Sequence, residues 1–140
     1  MKEIHVGYLL KKITDKLKTK VDAELKQHNL TLSQNHVLIF LDERGGESTQ
    51  KEIENFLEVT HPTVVGLVSR MEQNGFLTSW IDPKDRRNKI VKMTEKASNL
   101  MKQIKTEAAI HEEEILSSLS EEQRKELKEM LSIIYQNIDS

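Results

Sequence analysis

The spacing of apolar residues changes after Gly75, and this change limits the folds that the chain can adopt. Before Gly75, apolar residues recur every three or four positions, which is typical of amphipathic helices. Residues 76–81 and 89–93 instead have the composition of two β-strands, and the basic, turn-rich segment 82–88 separates them. Helical spacing returns after Thr94. The sequence therefore predicts a mainly α fold that contains one small β-hairpin.

Helix boundaries are predicted from residues that cap helix ends. Thr49 with Glu52, and Ser120 with Gln123, have the spacing of a capping box, in which each side chain bonds the other residue's free amide. The predicted helices span about 2–28, Ser33–Arg44, Thr49 to about Leu57, Thr60–Asn74, a long segment capped by Thr94, and a last segment that starts at Ser120. A helix-turn-helix pair directly before the hairpin is the order of a winged helix-turn-helix domain.

Length and composition limit the class of protein. The 140 residues suffice for one domain, or for one domain with added dimerisation helices. The chain has no cysteine, which excludes disulfides, thiolate metal sites and thiol catalysis. The longest aliphatic or aromatic run, residues 37–41, is far too short to span a membrane, and the N-terminus lacks the apolar core of a signal peptide. We expect a cytoplasmic protein with no membrane partner.

The sequence offers no recognisable catalytic motif. We find no nucleophile beside a base, no paired carboxylates in an apolar setting and no glycine-rich phosphate loop. The sequence therefore predicts a protein that is not an enzyme and that uses no cofactor.

Charge is divided unevenly along the chain, although the net charge is only −2. Residues 1–28 contain seven Lys or Arg against four Asp or Glu, and residues 60–92 contain six against three. Residues 107–129 contain eight acidic residues against three basic ones. A positive surface for an anionic partner, together with a separate acidic region, would give this distribution. Charges that are merely solvated on long helices are the alternative.

The helix predicted from Thr60 to Asn74 has one apolar stripe and one face of short polar side chains with a single arginine. A helix with such a face fits the major groove of DNA, where its side chains contact base edges and phosphates. The candidate DNA contacts in this helix are Thr60, His61, Thr63, Val64, Gly66, Ser69 and Arg70. The alternative is a short surface helix whose polar residues are merely exposed.

The tip of the hairpin carries the second group of candidate DNA contacts, namely Lys84, Asp85, Arg86, Arg87 and Lys89. Exposed guanidinium groups at such a tip can enter the negative minor groove beside the helix. Phosphate would repel Asp85 unless this carboxylate is engaged, so we expect it to orient a neighbouring arginine through a charge-assisted hydrogen bond. A charged, solvated hairpin is the alternative for this loop by itself.

The combined pattern resembles the multiple antibiotic resistance regulator (MarR) family of bacterial transcription factors. The matching segments are 30–34 (LTLSQ), 75–77 (GFL), 82–88 (DPKDRRN) and 91–97 (VKMTEKA), of which the wing segment 82–88 is the most characteristic. The resemblance covers nearly the whole chain. It implies a single MarR-type domain over residues 1–140, with a winged helix DNA-binding part at 31–98 and dimerisation helices at 1–30 and 99–140.

The resemblance also implies partners and a mode of action. Family members are obligate homodimers that bind a palindromic operator on double-stranded DNA, usually as repressors. Many are released by small aromatic or amphipathic effectors, and here the pocket would be lined by parts of residues 5–17 and 36–44. This chain departs from many relatives at Ser79-Trp80, where they carry basic residues before the wing. A phosphate contact there is absent or replaced by packing of Trp80.

Two alternatives remain open. His111 lies four residues after Glu107 on one helix face and beside three further glutamates, which would suit a zinc-sensing regulator of the same fold. However, His111 also occupies an apolar position of its helix, where a histidine is more often packed or at an interface. The other alternative is a helical interaction module that binds another coiled coil and not DNA. Such a module would leave the basic wing unexplained.

Overall fold

The structure, a computed structural model, describes residues 3–138. In this range the chain forms six α-helices and three β-strands, which divide into two compact units after Met101. In chain order they are α1 (Val6–Gln27), α2 (Leu32–Glu43), β1 (Glu47–Thr49), α3 (Gln50–Leu57), α4 (His61–Gln73), β2 (Leu77–Ile81), β3 (Lys89–Met93), α5 (Glu95–Ile115) and α6 (Glu121–Asn137). The predicted mainly α fold with a winged helix-turn-helix order is confirmed.

The sheet contains the predicted hairpin and one strand that the sequence did not predict. β2 and β3 pair in antiparallel fashion, with Leu77 opposite Met93. β1 pairs with the other side of β3, with Ser48 opposite Val91, so β3 is the central strand. β1 has only three residues and lacks the apolar alternation that would reveal a strand in the sequence. Because α3 begins at the next residue, β1 attaches the first helix of the helix-turn-helix pair to the wing sheet.

The helix predicted from about residue 2 is α1, which begins at Val6, and residue 2 itself lies outside the described residues. The other helix starts agree with the sequence except at α2. Two capping boxes form as predicted, namely Thr49 with Glu52 and Ser120 with Gln123. The N-cap of α2 is Thr31, which forms a third capping box with Gln34. The prediction of Ser33 as the cap is wrong, because Gln34 stands three residues after Thr31, the spacing at which both side chains reach the free amides.

The core lies in the first unit. Every buried apolar residue of the described chain lies at or before Met101. Fully buried side chains come from α2 (Leu38, Leu41), α3 (Ile53), α4 (Val64, Val68, Met71) and the region of the sheet (Phe76, Val91). Burial of one such side chain contributes roughly 1.5–3 kcal/mol. Three of them come from α4, so its orientation in the unit is well fixed.

The second unit comprises the end of α5 and α6, and none of its described residues is buried. Arg124 closes the turn between the two helices, since its Nε donates to the carbonyls of Leu116 and Leu119 at 3.1 and 3.2 Å. Its Nη1 also pairs with both carboxylate oxygens of Glu113. Large apolar side chains are exposed on these helices, namely Ile110, Ile115, Met130, Leu131, Ile133 and Tyr135.

α1 exposes an apolar stripe as well. The exposed side chains are Tyr8, Leu9, Ile13, Leu17 and Val21, whereas Leu25 near the end of the helix is buried. Apolar surface of this extent usually marks an interaction site in a globular protein.

Among residues 3–138, no helix combines the length and apolarity that crossing a membrane requires.

Candidate nucleic-acid interface

α4 directs one face to the core and the opposite face to solvent. The exposed candidate contacts are His61, Thr63, Ser69 and Arg70, and Gly66 is half-buried. The prediction that Val64 contacts DNA is wrong for its side chain, which is 0% exposed. Val64 stands four residues before Val68 and seven before Met71, so it belongs to the apolar stripe and not to the polar face.

A tight turn determines where α4 begins. Glu58 adopts the left-handed conformation at φ 55°, and its N–H donates to the carbonyl of Glu54 at 2.9 Å. Thr60 has the backbone geometry of an N-cap, but its side chain caps no amide. Its hydroxyl lies instead 2.8 Å from the hydroxyl of Thr63. Two candidate DNA contacts are thus linked to each other at the start of the helix, with Pro62 between them.

A buried carboxylate lies behind the first residue of α4. Oε1 of Glu54, on α3, is hydrogen-bonded to Nδ1 of His61. The Glu54 side chain is only 8% exposed, whereas the His61 side chain is 68% exposed. Oε2 of Glu54 lies 3.9 Å from Nζ of Lys51. His61 was predicted from the sequence and Glu54 was not, because the two residues lie on different helices and only the geometry of the turn brings them together.

The Glu54–His61 pair borders a cleft of about 450 Å³ formed by α3, α4 and the wing. The lining residues are Gln50, Lys51, Glu54, His61, Val65, Arg87, Asn88 and Lys89. Three of these side chains are cationic, so the cleft favours an anionic partner. The structure therefore brings His61 of the helix together with Arg87 and Lys89 of the wing. Lys84 and Arg86 lie outside this lining.

Asp85 organises the wing loop. Its Oδ1 accepts hydrogen bonds from the backbone N–H and from Nε of Arg87, both at 3.1 Å, and its Oδ2 accepts one from Nη2 at 3.2 Å. These hydrogen bonds lower the pKa of Asp85, and those from the Arg87 side chain have a larger effect than the one from its backbone. The Arg87 side chain is nevertheless 90% exposed. The predicted hydrogen bond to Asp85 from a neighbouring arginine is confirmed, and that arginine is Arg87.

The rest of the loop is closed by short-range bonds. The N–H of Asp82 donates to the carbonyl of Asn88, and the N–H of Asn88 donates to the carbonyl of Asp85, both at 2.9 Å. Oδ1 of Asp82 accepts from the N–H of Lys84 at 2.9 Å. The two aspartates of the loop therefore differ: Asp82 fixes the backbone, and Asp85 also holds a cationic side chain. Lys84 and Arg86 are exposed, and Lys89 is half-buried.

Ser79 and Trp80, where the chain departs from many relatives, lie on β2. The hydroxyl of Ser79 donates to the carboxylate of Glu72 on α4, which links the wing to that helix. Trp80 lies opposite Ile90 of β3 and is 40% exposed. In this chain Ser79 therefore links the wing to α4, and Trp80 lies partly exposed on the hairpin itself.

The histidine of the zinc-sensing alternative lies in the second unit. Nδ1 of His111 is 3.4 Å from Oε2 of Glu114, one turn further along α5. Within residues 3–138, no group of three or more His, Asp or Glu side chains is arranged to hold a metal ion.

Comparisons with known proteins agree with this architecture. A sequence model of the MarR family matches residues 30–89. The HTH-type transcriptional regulator YwoH of Bacillus subtilis is 31% identical over 120 residues, which cover 84% of this chain and 84% of YwoH.

Solved structures are similar as well. MepR, a transcription regulator of the Staphylococcus aureus multidrug efflux pump MepA, matches with a TM-score of 0.85 at 27% identity, over 97% of this chain and 100% of MepR. The S. aureus MepR–DNA complex matches with a TM-score of 0.76 at 27% identity, over 98% of this chain and 100% of that MepR chain. The resemblance that the sequence analysis identified is confirmed: the chain belongs to the MarR family of HTH-type transcriptional regulators.

Proposed function

We propose that this regulator binds double-stranded DNA with α4 in the major groove and with the wing loop, residues 82–88, at the adjacent minor groove. One observation carries the proposal: α4 is anchored by a buried apolar stripe while Ser69 and Arg70 are exposed on its other face, with the Arg87 guanidinium displayed on the wing of the same unit. The MepR–DNA complex supports it, because MepR shares this fold and binds DNA.

The division of charge supports the same surface. Residues 60–92, which contain α4 and the wing, hold six basic against three acidic residues. The acidic excess lies at residues 107–129, in the helices of the other unit. Basic side chains that neutralise phosphates supply most of the affinity of DNA-binding proteins at low salt. One of the two basic stretches of the chain, residues 60–92, therefore lies in the part that we assign to DNA, and the other is residues 1–28.

We propose a homodimer in which residues 1–30 and 99–140 form the interface and residues 31–98 form the winged part. The exposed apolar stripe of α1 and the exposed apolar side chains of α5 and α6 support this assignment. The second unit has no buried residue of its own among those described, so its helices need a partner surface. Two winged parts related by a two-fold axis would bind a palindromic operator.

We further propose that the homodimer represses transcription in the cytoplasm and is released by a small aromatic or amphipathic effector. Family resemblance supports this role, and the similarity to MepR, the regulator of a multidrug efflux pump, agrees with it. The effector pocket would involve parts of residues 5–17 and 36–44. The role is non-enzymatic and uses no cofactor.

Selection of bound sequences from random DNA tests the proposal most directly. We expect an enriched palindrome with half-sites about one helical turn apart, and binding that weakens steeply as salt is raised. The double variant Arg70→Ala/Arg87→Ala should lose most of this binding. Lys125→Ala/Lys128→Ala, which removes the same charge from α6, is the matched control and should bind as the wild type does. Failure to enrich any sequence, or equal loss in both variants, would contradict the proposal.

A further inference from the structure

The contact between Glu54 and His61 is a hydrogen bond whose donor and acceptor can be inferred. With Glu54 ionised, its carboxylate only accepts hydrogen bonds, so the pairing requires an N–H at Nδ1 of His61 that donates a hydrogen bond to Oε1 of Glu54. Nε2 of His61 is not used in this pairing, and the His61 side chain as a whole is 68% exposed. A carboxylate as buried as that of Glu54 is costly to keep without partners. The pairing thus holds the ring at the start of α4 and leaves Nε2 for a group from outside the chain.

Charged groups from three segments face this pair. Lys51 of α3 lies 3.9 Å from Oε2 of Glu54. Arg87 of the wing loop and Lys89 of β3 line the same cleft. The three cations outnumber the Glu54 carboxylate, and they still do so when Asp85, which is bonded to Arg87, is counted, so the mouth of the cleft attracts anions. On the surface that we assign to DNA, the anions available are backbone phosphates.

We propose that Glu54 is a positioning residue for DNA binding, and that it stabilises His61 as an imidazolium whose Nε2–H donates to a backbone phosphate. This inference rests on the proposed function. Neutral His61, with its proton on Nδ1, would present only a lone pair at Nε2, which repels a phosphate oxygen. Protonated His61 donates from both nitrogens, to Glu54 and to the phosphate.

A neutral imidazole with its proton on Nδ1 cannot donate from Nε2, so we expect DNA affinity to fall as pH rises. A phosphate at this position would also meet the positive charges of Lys51, Arg87 and Lys89, which line the same cleft.

Variants at the two positions separate this role from a purely structural one. Glu54→Gln keeps the size and a hydrogen-bond acceptor but removes the charge, and His61→Gln removes the titrating ring at an exposed position. His36→Gln alters an exposed histidine of α2 that does not line the cleft, and it is the matched control. Fluorescence anisotropy would measure affinity for the selected operator and for unrelated DNA from about pH 8 to about pH 6. Thermal melting would monitor folding.

We expect wild-type affinity to rise as pH falls, His61→Gln to lose this rise, and His36→Gln to keep it. Glu54→Gln should bind roughly 3- to 10-fold more weakly near neutral pH, with its pH profile displaced to lower pH. The double variant should bind no more weakly than His61→Gln alone, because Glu54 acts through His61. The loss should be the same on the operator and on unrelated DNA.

Several outcomes would overturn the inference. The first is a pH profile of Glu54→Gln that matches that of the wild type. The second is a loss of DNA affinity in the double variant that equals the sum of the two single losses. The third is a loss of affinity for the operator but not for unrelated DNA, which would indicate a base contact. If Glu54→Gln fails to fold, a wild-type pH profile in His61→Gln is sufficient to reject the inference. Failure of the proposed function is distinguishable, since the wild type itself would then bind no DNA at any pH.

Discussion

The carboxylate of Asp85 holds the guanidinium of Arg87 through two parallel hydrogen bonds, from Nε to Oδ1 at 3.1 Å and from Nη2 to Oδ2 at 3.2 Å. Bidentate geometry fixes the plane of the guanidinium as well as its position. The same bonds lower the pKa of Asp85, so the pair is present above the range in which this carboxylate titrates and is lost as pH falls through the lowered pKa. Because Arg87 is almost fully exposed, Asp85 determines where its charge points.

Asp85→Ala is therefore expected to weaken operator binding. Coulomb attraction alone predicts the opposite, since the change removes a negative charge from a surface that meets phosphate. We expect the loss of orientation to prevail and affinity to fall roughly 2- to 5-fold at low salt, as measured by fluorescence anisotropy. Asp82→Ala is the matched control in the same loop, because Asp82 bonds a backbone amide but no side chain. Tighter binding by Asp85→Ala would show that the carboxylate does not guide Arg87.

Arg87→Ala should weaken specific and non-specific DNA binding alike. A wing arginine that contacts phosphate or enters the minor groove senses charge and groove shape more than base identity. The slope of log affinity against log salt should fall by about one for each lost phosphate contact, hence by about two in a symmetric dimer. Lys128→Ala removes one exposed cation from α6 and should leave the slope unchanged. A loss seen only on the operator would instead indicate base reading by Arg87.

Features encoded within a few residues were predictable from the sequence. The capping boxes at Thr49 and Ser120 need only a hydroxyl and a Glu or Gln three residues later, and both form. The hairpin followed from a turn-rich segment between two apolar ones. The hydrogen bonds that Arg87 donates to Asp85 span two residues, so the charge pattern alone indicated them. In each case the partners are close in the chain.

Features that depend on packing between elements were missed or misassigned. Glu54 looks like an ordinary exposed glutamate in the sequence, and only the α3–α4 turn places it behind His61. β1 exists because β3 has a free edge, which three polar residues can occupy without any apolar pattern. Val64 lies between polar candidates in the sequence, but the phase of the helix turns it into the core. These positions are decided by tertiary geometry, which local patterns do not contain.

Glu52 should make stability depend on pH in acid. Its Oε1 accepts from the N–H and the hydroxyl of Thr49, and Oε2 pairs with Arg44. The backbone hydrogen bond from Thr49 is the largest cause of its lowered pKa, against a smaller opposing effect of burial. A lowered folded-state pKa means that the stabilisation is complete above the ordinary value of 4.5 and is lost as pH falls through the lowered value.

Glu52→Gln isolates this charge, because Gln occupies the same capping-box position in α2 and α6. We expect the variant to be less stable near neutral pH by roughly 0.5–1 kcal/mol after allowance for solvent screening. The difference should disappear in strong acid, where Glu52 is protonated in the folded state as well. Urea denaturation across this pH range measures it. A difference that is constant with pH would show that shape, and not charge, distinguishes the two side chains.

The apolar surface of α6 should hold the homodimer together. Wild-type protein at micromolar concentration is expected to sediment as a dimer, and Leu131→Asp combined with Ile134→Asp should abolish that species and lower the melting temperature. Leu131 is exposed in the single chain, so a partner surface is what the new charges would disrupt. Ser132→Asp adds a charge at a polar position of the same helix and should leave the dimer intact. A stable, folded wild-type monomer would contradict the proposed interface.

We expect Arg70 to contact a base, whereas Arg87 contacts phosphate or the minor groove. Arg70 lies exposed on α4, outside the buried stripe of Val64, Val68 and Met71, and a guanidinium in the major groove can form two hydrogen bonds to guanine. Arg70→Ala should therefore cost about 1–3 kcal/mol at one base pair of each half-site and relax the preference there. Affinities for a set of operators that differ at single base pairs would locate that position. Arg87→Ala is the reference variant, because it should lower the affinity for all operators of the set by the same factor. If Arg70→Ala also gave a uniform loss, Arg70 would be a phosphate contact, and base reading would have to come from Thr63 or Ser69.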